Sequence, residues 1–222
     1  MTDNRERTCI LAGFDARLGY VPAGGDAVAL WQVEDLERHV DRRALLAADD
    51  APEPPYWAHL WSGARVLAAM VPAGGGRAVE LGCGLGLPGL AAARRGARVT
   101  FVDREPAPLA FVRASALANG LGAVDLVTAD LTAGVLRGTF DLVLLAEVLY
   151  DRAAFPAVAR AIADALAPGG QALLADGARI DTRAFYPELA ARGLHVETTP
   201  HQVQADGITE TITLSAIRWP GA

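Results

Sequence analysis

The residues best equipped for chemistry fall at four points of one stretch. Val79-Glu80-Leu81-Gly82-Cys83-Gly84-Leu85-Gly86 sets three alternating glycines between a short apolar run and a helical one. Glycines there permit a tight turn and let backbone N–H groups approach a ligand at a helix N-terminus. Glu80 lies inside the run that precedes the loop. A carboxylate at that place repels phosphates and favours a ligand carrying positive charge. Asp103 closes the next apolar run, 17 residues after Gly86, where it can accept hydrogen bonds from both hydroxyls of a ribose. Asp130 closes the third run and can take a proton donor such as an adenine amino group. The fourth point is Glu147-Val-Leu-Tyr150: a carboxylate to attract an ammonium group and an aromatic face that favours cations.

These points need a scaffold that brings strand ends together. Strands are expected at 78–81, 98–102, 125–128, 140–145 and 171–175. Helices are expected at 87–95, 106–119, 155–166 and 182–192, with Asn119-Gly120 as a C-terminal cap. Ala167-Pro-Gly-Gly170 reads as the turn that ends the helix before it. Strand–helix alternation of this length predicts an α/β fold, a doubly wound and mostly parallel seven-stranded sheet of Rossmann-like type. Residues 194–198 and 208–217 alternate with period two around Asp206-Gly207, which predicts a C-terminal antiparallel hairpin at the sheet edge.

The N-terminal part is less regular. Strands are expected at 8–13 and 27–33, with Tyr20–Asp26 as the loop between them, and a helix over 34–48. Asp49-Asp-Ala-Pro-Glu-Pro-Pro55 breaks the chain. Trp57, Leu60, Trp61, Ala64, Leu67 and Ala68 then form an apolar stripe at helical spacing, so residues 56–71 are expected as one amphipathic helix with both tryptophans on one face. The domain plan is an extension over 1–55, serving as substrate or lid region, followed by one domain over 56–222.

Composition bounds the partners. The chain has 222 residues, is 52% hydrophobic and carries a net charge of -6, which does not favour nucleic acid as a partner. It contains no lysine, all 20 basic residues being arginine, so no lysine can act as a Schiff-base nucleophile. Cys9 and Cys83 form neither a disulfide framework nor a CxxC pair, and a reducing cytoplasm is expected. The N-terminus lacks a signal-peptide core and no run is long enough to cross a membrane. The histidines lack metal-ligand spacing, so no metal is expected. Cys83 contributes small size and backbone rather than a nucleophile.

Taken together, VELGCGLG, Asp103 after FV, Asp130 after TA, and FDLVLLAEVLYD resemble the class I, seven-strand, S-adenosylmethionine-dependent methyltransferases over residues 56–217. The cofactor's amino group and sulfonium supply the positive charge that Glu80 calls for. More narrowly, Pro55-Tyr-Trp-Ala-His-Leu-Trp-Ser-Gly-Ala64 together with Glu147-Val-Leu-Tyr150 resembles the protein-lysine methyltransferase and nicotinamide-methylase-like branch. The resemblance implies a cofactor pocket of Trp61, Glu80, Gly82, Cys83, Gly84, Asp103, Arg104, Asp130, Leu131 and Ala146. It also implies Glu147 and Tyr150 as the catalytic pair, facing a methyl-accepting amine on a protein or small molecule, with S-adenosylhomocysteine as product. Glu147 stands where many relatives have Asp. Pro54-Pro55-Tyr56 lies before the first strand rather than after the fourth, which separates it from the Pro-Pro-Tyr motif of methyltransferases acting on amide or nucleobase nitrogens. An O- or C-methyltransferase of a small metabolite and a non-catalytic module that binds the cofactor are the alternatives. Glu80 and the terminal hairpin oppose an NAD-dependent oxidoreductase.

Overall fold

The computed structural model describes residues 7–39, 54–134, 136–177, 179–205 and 207–221. Three strands open the chain as an antiparallel meander: β1 (Thr8–Leu11), β2 (Phe14–Ala23) and β3 (Asp26–Val33). The expected loop over 20–26 is strand for most of its length. Ala23 pairs with Asp26, and only Gly24 and Gly25 turn, with φ of 60° and 94°, the two positive values a tight hairpin needs. Pro22 does not break β2 because β1 pairs only with residues 14–17. The proline therefore sits on an edge, where its missing N–H costs no ladder bond. Of the helix expected over 34–48, Leu36–His39 forms a 3-10 turn; the rest, and most of the break at 49–55, lies outside the described residues.

The stripe over 56–71 does not make one helix. Tyr56–Ala58 is a 3-10 turn, Trp61 is extended, and α1 runs over Ser62–Met70. The two tryptophans are held in different places. Trp57 packs in the core on Phe14 and Phe111, with centroids 5.2 and 5.3 Å away. The Trp61 Nε1–H donates back to the Tyr56 carbonyl at 3.1 Å.

From there the alternation follows the sequence: β4 (Arg77–Leu81), α2 (Leu87–Arg94), β5 (Arg98–Asp103), α3 (Pro106–Ala118), β6 (Asp125–Thr128), β7 (Phe140–Ala146), α4 (Phe155–Ala165), β8 (Leu166–Gly177), α5 (Phe185–Ala190), β9 (His195–Ala205) and β10 (Ile208–Arg218). The seven strands are ordered β6-β5-β4-β7-β8-β10-β9. Strands β4 to β8 are parallel, and β10 is antiparallel to β8 and β9. The expected turn at 167–170 is absorbed into β8 as an irregularity. Leu166 pairs with Phe140 and Gln171 with Leu142, and Gly170 fits because a Cβ there would meet three carbonyl oxygens at 3.0 Å.

Period-two alternation divides the strands between two cores. Ala78, Phe101, Leu144 and Leu173 join α1, α2, α3 and the meander; Val79, Val102, Val143, Leu145 and Leu174 join α4 and α5. Each fully buried Phe or Leu is stabilised by about 1.5–3 kcal/mol. Exposed pairs such as Arg98–Asp125 contribute at most about 1 kcal/mol, so the layers and not the surface charges hold the fold. Among the described residues no helix is long and apolar enough to cross a membrane.

Side chains of α3 dock the meander. The Asn119 amide accepts the Ala29 N–H at 3.0 Å and donates to the Ala29 carbonyl at 2.7 Å, while Ser115 Oγ accepts the Trp31 N–H at 2.9 Å. Ser115 on the helix and Asn119 capping its C-terminus, four residues apart, thus meet residues two apart on the outer edge of β3. Arg95 adds a second tie, donating to the Ala68 and Val71 carbonyls at the end of α1 and to the Ala23 carbonyl of β2. Asn119→Ala leaves both polar groups of Ala29 unpaired and is expected to lower the unfolding free energy by about 1–3 kcal/mol. Urea denaturation measures the loss, and hydrogen exchange should show reduced protection at the Ala29 amide.

Candidate functional site

The sheet reverses its winding between β4 and β7. Chain order runs β4, β5, β6 to one side and β7, β8 to the other, so a crevice opens at the carboxyl ends of β4 and β7, where ligands of such sheets bind. Strand pairing continues past the strand ends and fixes the flanking loops. The Cys83 N–H donates to Val102, Ala129 to Asp103 and Glu147 to Ala175.

In the glycine loop, Gly82, Gly84 and Gly86 have φ of 66°, 49° and 74°. A Cβ on Gly82 would meet Val148 at 3.0 Å and Leu131 at 3.4 Å, and one on Gly84 would meet the Trp57 carbonyl at 3.0 Å. Asp103 lies beside the loop, 8% exposed. One of its oxygens accepts the Gly84 N–H at 2.9 Å and the other the Glu105 N–H at 3.1 Å. Burial raises its carboxyl, with the backbone donors and the charge of Arg104 opposing. Asp130 is exposed and turns its own loop, accepting the N–H and hydroxyl of Thr132 at 2.7 and 2.5 Å. Those bonds, with Arg104 nearby, hold its carboxyl below the usual range. Arg104 therefore stands within the field of both aspartates; Leu131 lies close to Gly82, and Ala146, half-buried, is the last residue of β7.

Glu80 and Cys83 sit beneath this surface. Glu80 is 1% exposed and accepts the Gly89 N–H in the first turn of α2 at 2.8 Å. Burial pushes its carboxyl up to about 8, Gly89 opposing and the Asp103 charge adding. It braces β4 against α2 from inside the core; the structure does not set it out where a ligand would lie. The Cys83 thiol is pushed up by burial and by the charges of Glu80 and Asp103, which suits a packing role.

At the end of β7, Glu147 takes φ of 57°, a left-handed conformation that is rare for a non-glycine residue and concentrates at functional sites. The residue is 8% exposed. Oε1 accepts the Gly63 N–H at 3.1 Å, Oε2 accepts the Gly177 N–H at 3.2 Å, and Arg179 Nη2 lies 3.0 Å from Oε2. The Arg179 guanidinium lies 4.4 Å over the Trp61 ring. Trp61, Arg179 and Glu147 thus form one stack at the inner end of a groove of about 1160 Å³, walled by α1 and the β9–β10 hairpin and reached also by Val33 and Leu36. Tyr150 is not brought to it: that side chain is 57% exposed and outside the groove lining.

Sequence reasoning missed Gly63, Gly177, Arg179 and Asp176. A Cβ on Gly63 would stand 2.5 Å from Glu147 Oε1, so glycine is required there. The only sequence signal was the small residue after Ser62; Arg179 and Asp176 had none.

Comparison with known proteins adds three findings. Residues 78–170 match a family described as a methyltransferase domain. A ubiquinone biosynthesis O-methyltransferase of Pseudomonas aeruginosa is 39% identical over 102 residues, covering 45% of this chain and 44% of that protein. A protein N-lysine methyltransferase of Danio rerio is 39% identical over 111 residues, covering 45% of this chain and 50% of that protein. The chain therefore matches about half the length of these curated relatives or less. Among solved structures, the N-methyltransferase NodS of Bradyrhizobium japonicum, in complex with S-adenosyl-L-homocysteine, superposes with a TM-score of 0.59 at 22% identity, covering 83% of this chain and 96% of that one. That likeness establishes the fold.

The raised carboxyl of Glu80 carries a sign. The native state holds that proton between pH 4.5 and about 8 while the unfolded chain releases it. Stability is therefore intact below 4.5 and falls as pH rises toward 8. Glu80→Gln should flatten this fall, measured as melting temperature against pH; an unchanged slope contradicts the assignment.

Proposed function

We propose that this chain transfers a methyl group from S-adenosylmethionine to an amine on a protein or small molecule, a reading supported by the match of residues 78–170 to a methyltransferase domain family. The residues present suit that cofactor. Each Asp103 oxygen accepts one backbone N–H and keeps a lone pair for a ribose hydroxyl. The crowded glycines leave backbone, not side chains, along the loop, and Asp103, Asp130 and the loop share one edge of the sheet. The bound cofactor supplies a methyl group made electrophilic by its sulfonium. The protein's part is to hold the acceptor in line and exclude water.

One observation carries the amine reading. Arg179 presents a planar cation between the indole of Trp61 and the carboxylate of Glu147. An aromatic face plus a buried carboxylate is a seat for positively charged nitrogen, and here a side chain of the protein occupies it. Glu147 thus attracts and orients the acceptor, Trp61 walls it, and Tyr150, outside the groove, has at most a role at the rim. Val33 and Leu36 line the same groove, which supports an acceptor-side role for the N-terminal region. A second reading, O-methylation of a small metabolite, is favoured by the similarity to the Pseudomonas O-methyltransferase.

Incubation with labelled cofactor and a cell lysate separates the two. The amine reading expects label that survives mild base in a protein or amine fraction; base-labile or phenolic label points to oxygen. Label on the enzyme itself cannot sit on lysine, since the chain has none. Asp103→Ala should weaken S-adenosylhomocysteine binding about 10- to 100-fold by calorimetry. Glu147→Gln should lose turnover with that affinity kept. Equal affinity in wild type and Asp103→Ala would falsify the ribose assignment.

A further inference from the structure

Asp176 stands behind the Glu147–Arg179 pair, one residue before Gly177 at the end of β8. It is 7% exposed, and its Oδ1 is buried with no hydrogen-bond partner among the described residues. An unpaired buried carboxylate oxygen is costly and marks a place where the arrangement serves something besides stability. Its charged neighbours are Glu147, from the turn after β7, and Arg179, from the loop after β8; the Leu149 N–H also faces it. From β10 the residue paired with it is Thr213, which does not titrate. Two carboxyls therefore share a single guanidinium.

We infer that Asp176 is a positioning residue whose negative charge, left over after Arg179 balances Glu147, draws a cationic acceptor into the groove. With Asp176 protonated the cluster is neutral; with Asp176 ionised it carries one net negative charge beside the Trp61–Glu147 seat. An arriving ammonium group can then pair with Glu147 while the Arg179 guanidinium balances Asp176, so neither buried carboxylate is left unpaired. Burial pushes the Asp176 carboxyl up to about 7, the charge of Glu147 adding and Arg179 and the Leu149 N–H opposing, so the change of charge falls in the physiological range. The inference rests on the amine reading above.

The test is binding of n-butylammonium to the full chain saturated with S-adenosylhomocysteine, followed by NMR titration from pH 6 to 8.5, with n-butanol as the uncharged control. The probe stays protonated throughout, so a pH effect comes from the protein. Wild type should bind the ammonium about fivefold more tightly at pH 8 than at pH 6, and butanol equally at both. His59 and His201 also line the groove and can add their own pH dependence, so the comparison is between variants. Asp176→Asn, which keeps the shape and an acceptor for Leu149, should hold the ammonium affinity within about twofold across the range. Arg179→Gln removes the group that lowers the Asp176 carboxyl and should move the midpoint to higher pH; it remains the test if Asp176→Asn does not fold. A pH dependence in Asp176→Asn equal to wild type, or an unmoved midpoint in Arg179→Gln, overturns the role of Asp176 while the amine reading stands. Ammonium binding no tighter than butanol at every pH overturns both.

Discussion

One buried carboxylate organises the centre of this molecule. Glu147 is almost sealed from water, and an ion so placed is tolerated only when its oxygens are met by donors. The three donors come from two segments far apart in sequence: Gly63 in the first turn of α1, and Gly177 at the end of β8 with Arg179 just beyond it. Removing one partner of such a pair typically costs about 3–5 kcal/mol. The geometry propagates outward. Gly63 must be small, α1 must begin where its N–H groups face β7, and Trp61 is left at the helix entrance, where its ring meets Arg179. The left-handed backbone of Glu147 is the local cost of aiming the carboxylate at all three.

The strands were legible because burial on both faces makes nearly continuous apolar runs of them, and the acids at their ends stand out against that background. Turn chemistry was harder to read. Pro22 and Pro168-Gly169-Gly170 carry the residues of loops, yet one lies on an unpaired edge and the other in a bulge, where the lost ladder bonds do not matter. The stripe over 56–71 had helical spacing because Trp57 and α1 both face the core; periodicity does not register that Trp61 turns the other way to meet a residue more than a hundred positions later. Glu147 and Trp61 could be singled out from motifs. Arg179 and Asp176 could not, since their significance lies in a charge balance that only the folded chain creates. Glu80 was legible as an acid in the right place, but its direction, into α2 and not toward the crevice, depends on the packing of Gly89.

The molecule divides along the same line. The stretch that matches the methyltransferase domain family ends at residue 170 and contains the glycine loop, Asp103, Asp130 and Glu147. Trp61, Asp176, Arg179, the terminal hairpin and the meander all fall outside it. The stretch that would hold a cofactor thus lies within the matched region, while most of the groove's walls lie outside it. A relative named as an O-methyltransferase and one named as an N-lysine methyltransferase each match about 45% of this chain.

The docking of β3 onto α3 has a further consequence for how the protein behaves among copies of itself. A three-stranded sheet ordinarily ends in two rows of unpaired amides, and such rows invite strand-to-strand association. Here one row is answered by side chains, the Asn119 amide imitating the donor and acceptor of a neighbouring strand and Ser115 supplying the next acceptor. The other row is divided between β1, only four residues long, and the far part of β2 that β1 does not cover, where Pro22 has no amide to offer. On the β3 side the helix therefore acts as a false fourth strand, ending the sheet there without offering a further edge for another chain to join.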